Sequence, residues 1–218
     1  MYGLGRHLEP AHDHRNWDFQ AERATSVVNV DHVHVGPVLD QKNLGSCTGN
    51  AMAQALNTYP FYDGKRRLLN ENDAVALYSW ATHHDSVPGF YPTTDTGSDG
   101  ASVAKAARSL GLITGYAHAF GLQHALEALT LRPVLFGTVW LDGMFSPDTS
   151  GVVDVSGEIA GGHEYLGIGI NMQKQYVECL NSWGSNWGVQ GRFRIRFADL
   201  DKLLKQRGDV VVPVILKG

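Results

Sequence analysis

Two cysteines occur in the 218 residues, and the surroundings of the first could make it a nucleophile. Cys47 follows a Gly45-Ser46 turn signal and precedes a run in which Ala51, Met52, Ala55, Leu56 and Tyr59 share a helical face. That spacing puts Cys47 at or next to a helix N-terminus, where unpaired N–H groups favour a thiolate. Far downstream stand a histidine in a glycine run, Gly161-Gly162-His163, and an asparagine in Asn181-Ser182-Trp183-Gly184. An imidazole can take the thiol proton, and the imidazolium so formed lowers the thiol pKa further. An asparagine amide can hold one ring nitrogen and leave the other for the sulfur. Gln41, six positions before Cys47, carries a side-chain amide. With the Cys47 backbone N–H it could hold the oxyanion of a tetrahedral intermediate. Singly, each residue has a plainer role: a core cysteine, a structural histidine, a turn with a packed tryptophan. Together, in the order Cys, His, Asn, they point to acyl chemistry.

The elements that must position these groups follow from periodicity. Residues 1–30 are polar, with His7, His12 and His14 among them, and are expected to form a solvated arm rather than a metal site. Val27 to Val38 alternates in part and predicts a strand with His32 and His34 on an exposed face. The helix from Cys47 is expected to end at Pro60. A second helix should start at Asn72 or Asp73 and bury Leu77, Tyr78 and Ala81. Residues 85–100 read as a loop. A third helix follows, capped by Ser102 and stopped at Gly111, with Val103, Ala106, Ala107 and Leu110 on one face. A fourth covers Leu122 to Leu129. After Pro133 strands take over: Val134–Trp140, Tyr165–Ile170, Tyr176–Leu180, Arg192–Phe197 and Val210–Ile215. Helices first and strands afterwards predict an α+β fold.

Composition bounds the function. The chain is 43% hydrophobic and 18% charged, an ordinary globular balance. A net charge of −4 and the lack of a Lys/Arg run argue against a nucleic-acid partner. No apolar run approaches the ~20 residues of a membrane span. The N-terminal residues lack the apolar core of a signal peptide, so a cytoplasmic or otherwise unsecreted protein is expected. Two cysteines make no disulfide framework, which fits a reducing compartment. Cys179 shares strand parity with Val177 and Asn181 and is expected in the core beneath the site.

The motifs resemble the papain family of cysteine peptidases over almost the whole chain. DQKNLGSCTGNA resembles the active-site stretch of its bacterial-type members, which read close to DQGxLGSCTANA. GGHEYLGIG resembles the family's histidine strand, and NSWGSNWGVQGRFRI its asparagine segment. The resemblance implies Cys47 as nucleophile, His163 as base and acid, Asn181 as the amide that orients it, and Gln41 with the Cys47 N–H as oxyanion hole. It also implies that Trp183 covers the His–Asn hydrogen bond from water, with Trp187 in support. Residues 97–113 resemble the glycine edge of the substrate cleft and the helix behind it, which assigns Asp99 and Gly100, with Gly162 across the way, to the cleft. The implied architecture is one domain of two lobes: an N-terminal arm and strand (1–40), a helical lobe (41–115) and a β-rich, barrel-like lobe (116–218). Peptide or protein substrates are implied, and no metal or organic cofactor.

Departures from the family pattern narrow the match. Leu44 stands where plant and lysosomal members carry a second cysteine, and Thr48 where they often carry tryptophan. Both departures fit the bacterial type. Glu164 stands where a small apolar residue often follows the histidine; on a strand it should point away from His163 and take no part in catalysis. The residues before Cys47 are too few for a folded inhibitory segment beside the strand the domain needs, so how activity is restrained is an open question. An acyltransferase or transamidase on the same triad, or a binding module that kept the fold, remain alternatives.

Overall fold

The computed structural model describes residues 2–8 and 20–215. Among these residues, five α-helices and one antiparallel sheet make an α+β fold. The strands are β1 (Val30–Asp31), β2 (Gly115–His118), β3 (Val134–Leu141), β4 (Ile159–Asn171), β5 (Tyr176–Leu180), β6 (Arg192–Arg196) and β7 (Asp209–Val214). They run in the order β2-β7-β3-β4-β5-β6, with β1 paired to β4. The helices are α1 (Cys47–Leu56), α2 (Glu71–Thr82), α3 (Gly100–Ser109), α4 (Gly121–Leu131) and α5 (Phe197–Lys205).

The sheet separates two cores. On one face Trp140, Tyr165, Phe193, Trp183 and Trp187 pack with Leu129 of α4 and Leu200 of α5. On the other, Leu135, Leu166, Ile168 and Val211 pack against α1 and α3. All ten residues of α1 are buried, which its small side chains permit. Gly49 lets α2 approach: a Cβ there would lie 2.1 Å from the Ala74 carbonyl oxygen. Thus Cys47 opens a helix locked between α2 and the sheet.

Several boundaries differ from expectation, each for a local reason. α1 ends at Leu56, because the Asn57 side chain turns to bond both the N–H and the C=O of Leu69, and Tyr59 is then 44% exposed. Asn70 caps α2, accepting from the N–H groups of Asn72 and Asp73 while Asp73 accepts from the Asn70 N–H. Asp99, not Ser102, caps α3; Ser102 is the residue whose N–H it receives. In Val27–Val38 only Val30 and Asp31 form a ladder. There the imidazoles turn inward, Nε2 of His32 to the Leu129 carbonyl (2.7 Å) and Nδ1 of His34 to Thr58 Oγ1 (3.0 Å), while Val33 is 59% exposed. A buried carbonyl or hydroxyl needs a hydrogen-bond partner, which valine lacks. The short strand β2 and the helix α5 were not expected.

The arm departs most. Residues 2–8 are not a solvated arm: Gly3 and Arg6 are buried, and the segment lies across the start of α1 and the start of β4. His12 and His14 lie outside the described residues. His7 stands 4.0 Å from Asp99, and no metal-holding group of His, Cys, Asp or Glu forms among the described residues.

Candidate active site

Three elements bring the sequence-singled residues together. Cys47 is the first residue of α1, His163 lies in β4, and Asn181 follows the end of β5, the strand hydrogen-bonded to β4. Nε2 of His163 bonds Oδ1 of Asn181 at 2.7 Å, which leaves Nδ1 without a hydrogen-bond partner among the described residues. Oδ1 also accepts from the Ser182 N–H at 2.8 Å, so the amide is fixed by its own backbone. Trp183 stacks on His163 at 4.7 Å, and Trp140 meets the ring edge-on at 4.9 Å. Both tryptophans are buried, so the His–Asn bond lies out of water. Trp187 packs edge-on against Trp183 at 4.9 Å and donates its indole N–H to the Phe145 carbonyl, 2.9 Å away.

Gln41 is buried beside this group. Its backbone N–H bonds the Ser182 carbonyl, its Oε1 accepts from the Ser182 hydroxyl, and its Nε2 donates to the Leu44 carbonyl at 2.7 Å. An amide nitrogen has two hydrogens, so one is left for an oxyanion. Cys179 is fully buried with Val177, Phe193 and Ile195, and both cysteines are free. The Gly162 carbonyl accepts from the Arg6 N–H, and Gly100 is the first residue of α3. Asp99 serves first as the α3 cap.

What covers the site was not anticipated. The Arg6 N–H bonds the Gly162 carbonyl (3.0 Å), while the Gly5 carbonyl and the His7 N–H bond the N–H (2.7 Å) and the C=O (2.9 Å) of Ser98. The Gly3 N–H bonds the Lys42 carbonyl at 2.7 Å, and its carbonyl accepts from the Trp183 indole at 3.1 Å. Tyr2 stacks on Trp183 at 4.6 Å. A Cβ on Gly5 would lie 1.9 Å from the Gly45 carbonyl oxygen and one on Gly3 2.4 Å from that of Leu44, so only glycine fits at either place. The Gly-Leu-Gly spacing at 3–5 was the readable sign of this close approach.

The cover reverses the electrostatics expected of the pair. Burial pushes the Cys47 thiol up to about 12, although the N–H groups of Glu164, Gly5 and Thr48 face the sulfur and pull the other way. Burial pulls His163 down to about 4, against the raising effect of its Asn181 bond. Both groups are therefore neutral here. A helix start and an imidazole favour a thiolate only where the resulting charges are solvated or paired.

No protein-family model matches the chain. An uncharacterized peptidase C1-like protein of Acanthamoeba polyphaga mimivirus is 30% identical over 82 residues, 35% of this chain and 26% of that protein, so the match spans about a quarter of the relative's length. The solved structure of xylellain, a cysteine protease from Xylella fastidiosa, matches with a TM-score of 0.80 at 18% identity, over 99% of this chain and 97% of that one. Digestive procathepsin L 3 of Tenebrio molitor larval midgut matches with a TM-score of 0.65 at 16% identity, over 98% of this chain and 76% of that one. Bromelain protease from Ananas comosus, in complex with an inhibitor, matches with a TM-score of 0.62 at 16% identity, over 84% and 94%. These likenesses over most of the chain show that it has the papain-like α+β fold found in these cysteine proteases.

Proposed function

We propose that the chain is a cysteine peptidase of the bacterial type, acting on peptides or proteins. The carrying observation is the His163–Asn181 bond, which fixes one ring nitrogen and frees the other, on the strand whose Glu164 N–H faces the Cys47 sulfur. Leu44 and Thr48, and a likeness to xylellain over nearly the full length, support the bacterial type. The division into a helical lobe to residue 115 and a β-rich lobe after it is our reading of the two cores. Two free, buried cysteines fit a reducing compartment.

In the reaction, a substrate first displaces residues 2–8. Water then reaches the site, and the Cys47 proton passes to Nδ1 of His163. The thiolate adds to the scissile carbonyl carbon, and the oxygen takes the charge between the Cys47 N–H and the free hydrogen of Gln41 Nε2. The C–N bond breaks as His163 returns the proton to the leaving amine. Water, deprotonated by His163, adds to the thioester; the acid leaves and the thiol is restored.

Hydrolysis of casein and of a blocked peptide panel by the Arg6→Ala chain tests this reading. Cys47→Ala in the same background should abolish turnover and keep the circular dichroism spectrum. Turnover by a well-folded Cys47→Ala chain would place the chemistry elsewhere.

A further inference from the structure

The residue after the histidine is an unexplained acid. Alternation along β4 turns Glu164 to the face opposite His163, where it is fully buried. Neither carboxylate oxygen has a hydrogen-bond partner among the described residues. In register on either side of Gly137, in β3, stand Glu164 of β4 and Asp209 of β7. Three adjacent strands thus set two acids around a position with no side chain. The hole is needed: a Cβ on Gly137 would lie 2.4 Å from Arg6 Nε and 2.6 Å from Glu164 Oε2. Gly100 makes the other wall, where a Cβ would come within 2.7 Å of Glu164 and 2.8 Å of Asp209.

Into this hole goes the side chain of Arg6. Its Nε and Nη2 donate to Asp209 Oδ1 at 2.9 and 2.5 Å, Nη2 also donates to the Arg207 carbonyl at 2.7 Å, and Glu164 Oε2 is 3.9 Å from Nε. The third nitrogen, Nη1, is buried without a partner. Arg6 belongs to the segment over Cys47, and its backbone N–H holds Gly162, the neighbour of His163. Any peptide that reaches the sulfur must take the place of this segment and empty the pocket. Buried carboxylates left without a cation are costly. An apolar lining would avoid that cost, so pure stability does not explain the acids.

We propose that the Glu164–Asp209 pocket is the side-chain pocket for a basic residue of the substrate, arginine in preference to lysine, and that Arg6 is its internal occupant. Arginine is favoured because its planar fork reaches Asp209 and the Arg207 carbonyl at once, whereas an ammonium is a single, strongly hydrated point charge. Asp209 then supplies both charge and direction, while burial raises the Glu164 carboxyl well above the usual carboxylate range. The inference rests on the peptidase reading for the word substrate, but the pocket's selectivity can be measured without catalysis.

The test uses the full chain carrying Arg6→Ala and Cys47→Ala, which vacates the pocket and prevents cleavage. Blocked hexapeptides, otherwise alanine and leucine, carry Arg, Lys, Leu or Glu at each position in turn, and binding is read by fluorescence polarisation. At one position Arg should bind about 10²-fold tighter than Leu, the scale for a desolvated, hydrogen-bonded charge pair, with Lys between them and Glu weakest. Glu164→Gln with Asp209→Asn should erase the Arg preference. Equal or tighter binding of the Leu peptide, or an Arg preference that survives loss of both acids, overturns the proposal. If the acid variants do not fold, the Arg6→Ala chain decides alone: acetyl-arginine methylamide should raise its unfolding temperature and acetyl-norleucine methylamide should not, and equal shifts overturn the idea. Casein turnover by the Arg6→Ala chain with Cys47 intact is scored separately. Its absence beside Arg-selective binding sinks the peptidase reading and leaves the pocket; its presence without selectivity does the reverse.

Discussion

At the residue scale, the same two side chains can be inert or reactive depending on a few ångströms of cover. With the thiol pushed up to about 12 and the imidazole down to about 4, no thiolate–imidazolium pair exists at neutral pH: the thiol is protonated below its pKa, and the ring is unprotonated above its own. Both shifts come first from burial, so admitting water should undo them, while the N–H groups of Glu164 and Thr48 stay in place. Iodoacetamide should therefore label Cys47 of the Arg6→Ala chain already at pH 6, and label the intact chain slowly between pH 6 and 8. Coincident profiles that rise only above pH 8 would count against the pair. Cys179 should stay unlabelled in both until the protein unfolds, since no water reaches it. Gln41 makes a second residue-level case. Its Gln41→Ala variant should lower kcat by about 10²–10³, the cost of one aimed oxyanion donor, and should also lose some stability through the Leu44 and Ser182 bonds. A rise in KM alone would mean that the amide lines a pocket and holds no oxyanion.

At the scale of elements, Asp99 is the cap that starts α3. Its carboxylate receives the Ser102 N–H at 2.8 Å and the Ser102 hydroxyl at 3.0 Å. Asp99→Ala should cost about 1 kcal/mol in chemical denaturation and leave kcat/KM on short peptides nearly unchanged; the reverse pattern would return Asp99 to the cleft. The sequence was most readable where periodicity and chemistry agreed. The α1 start at Cys47 and the bounds of β5 follow from residue types alone, as does the outward turn of Glu164 from His163. Caps were harder, because Asn70 and Asp99 compete with neighbours of equal capping power, and only the backbone path decides. β2 is four residues long and too short to show a period. α5 begins at Phe197 directly after β6, with no turn residue between to mark the change. The cover left only its glycines as a trace: a segment of seven residues needs no fold of its own when the cleft supplies every partner.

At the scale of the molecule, residues 2–8 pair with Ser98 ahead of α3 and with Gly162 and Asp209 of the sheet, and so join its helical and sheet sides. Gly5→Ala should lift the segment, because the Gly45 backbone cannot give way to a Cβ 1.9 Å from its oxygen. Alkylation of Cys47 should then rise at least about tenfold at pH 7 with the circular dichroism spectrum retained; undiminished protection would show that the close approach at Gly45 does not hold the cover. The link between Arg6 and Asp209 also fixes an order of events during synthesis. Asp209 opens β7, and β7 lies between β2 and β3, so the sheet has a gap until that strand has been made. Residue 6 leaves the ribosome before residue 209, its anchor. The strand that closes the sheet between β2 and β3 is the one that brings the anchor for the cover. A nascent chain thus acquires its complete sheet and the anchor that holds the cover in a single step.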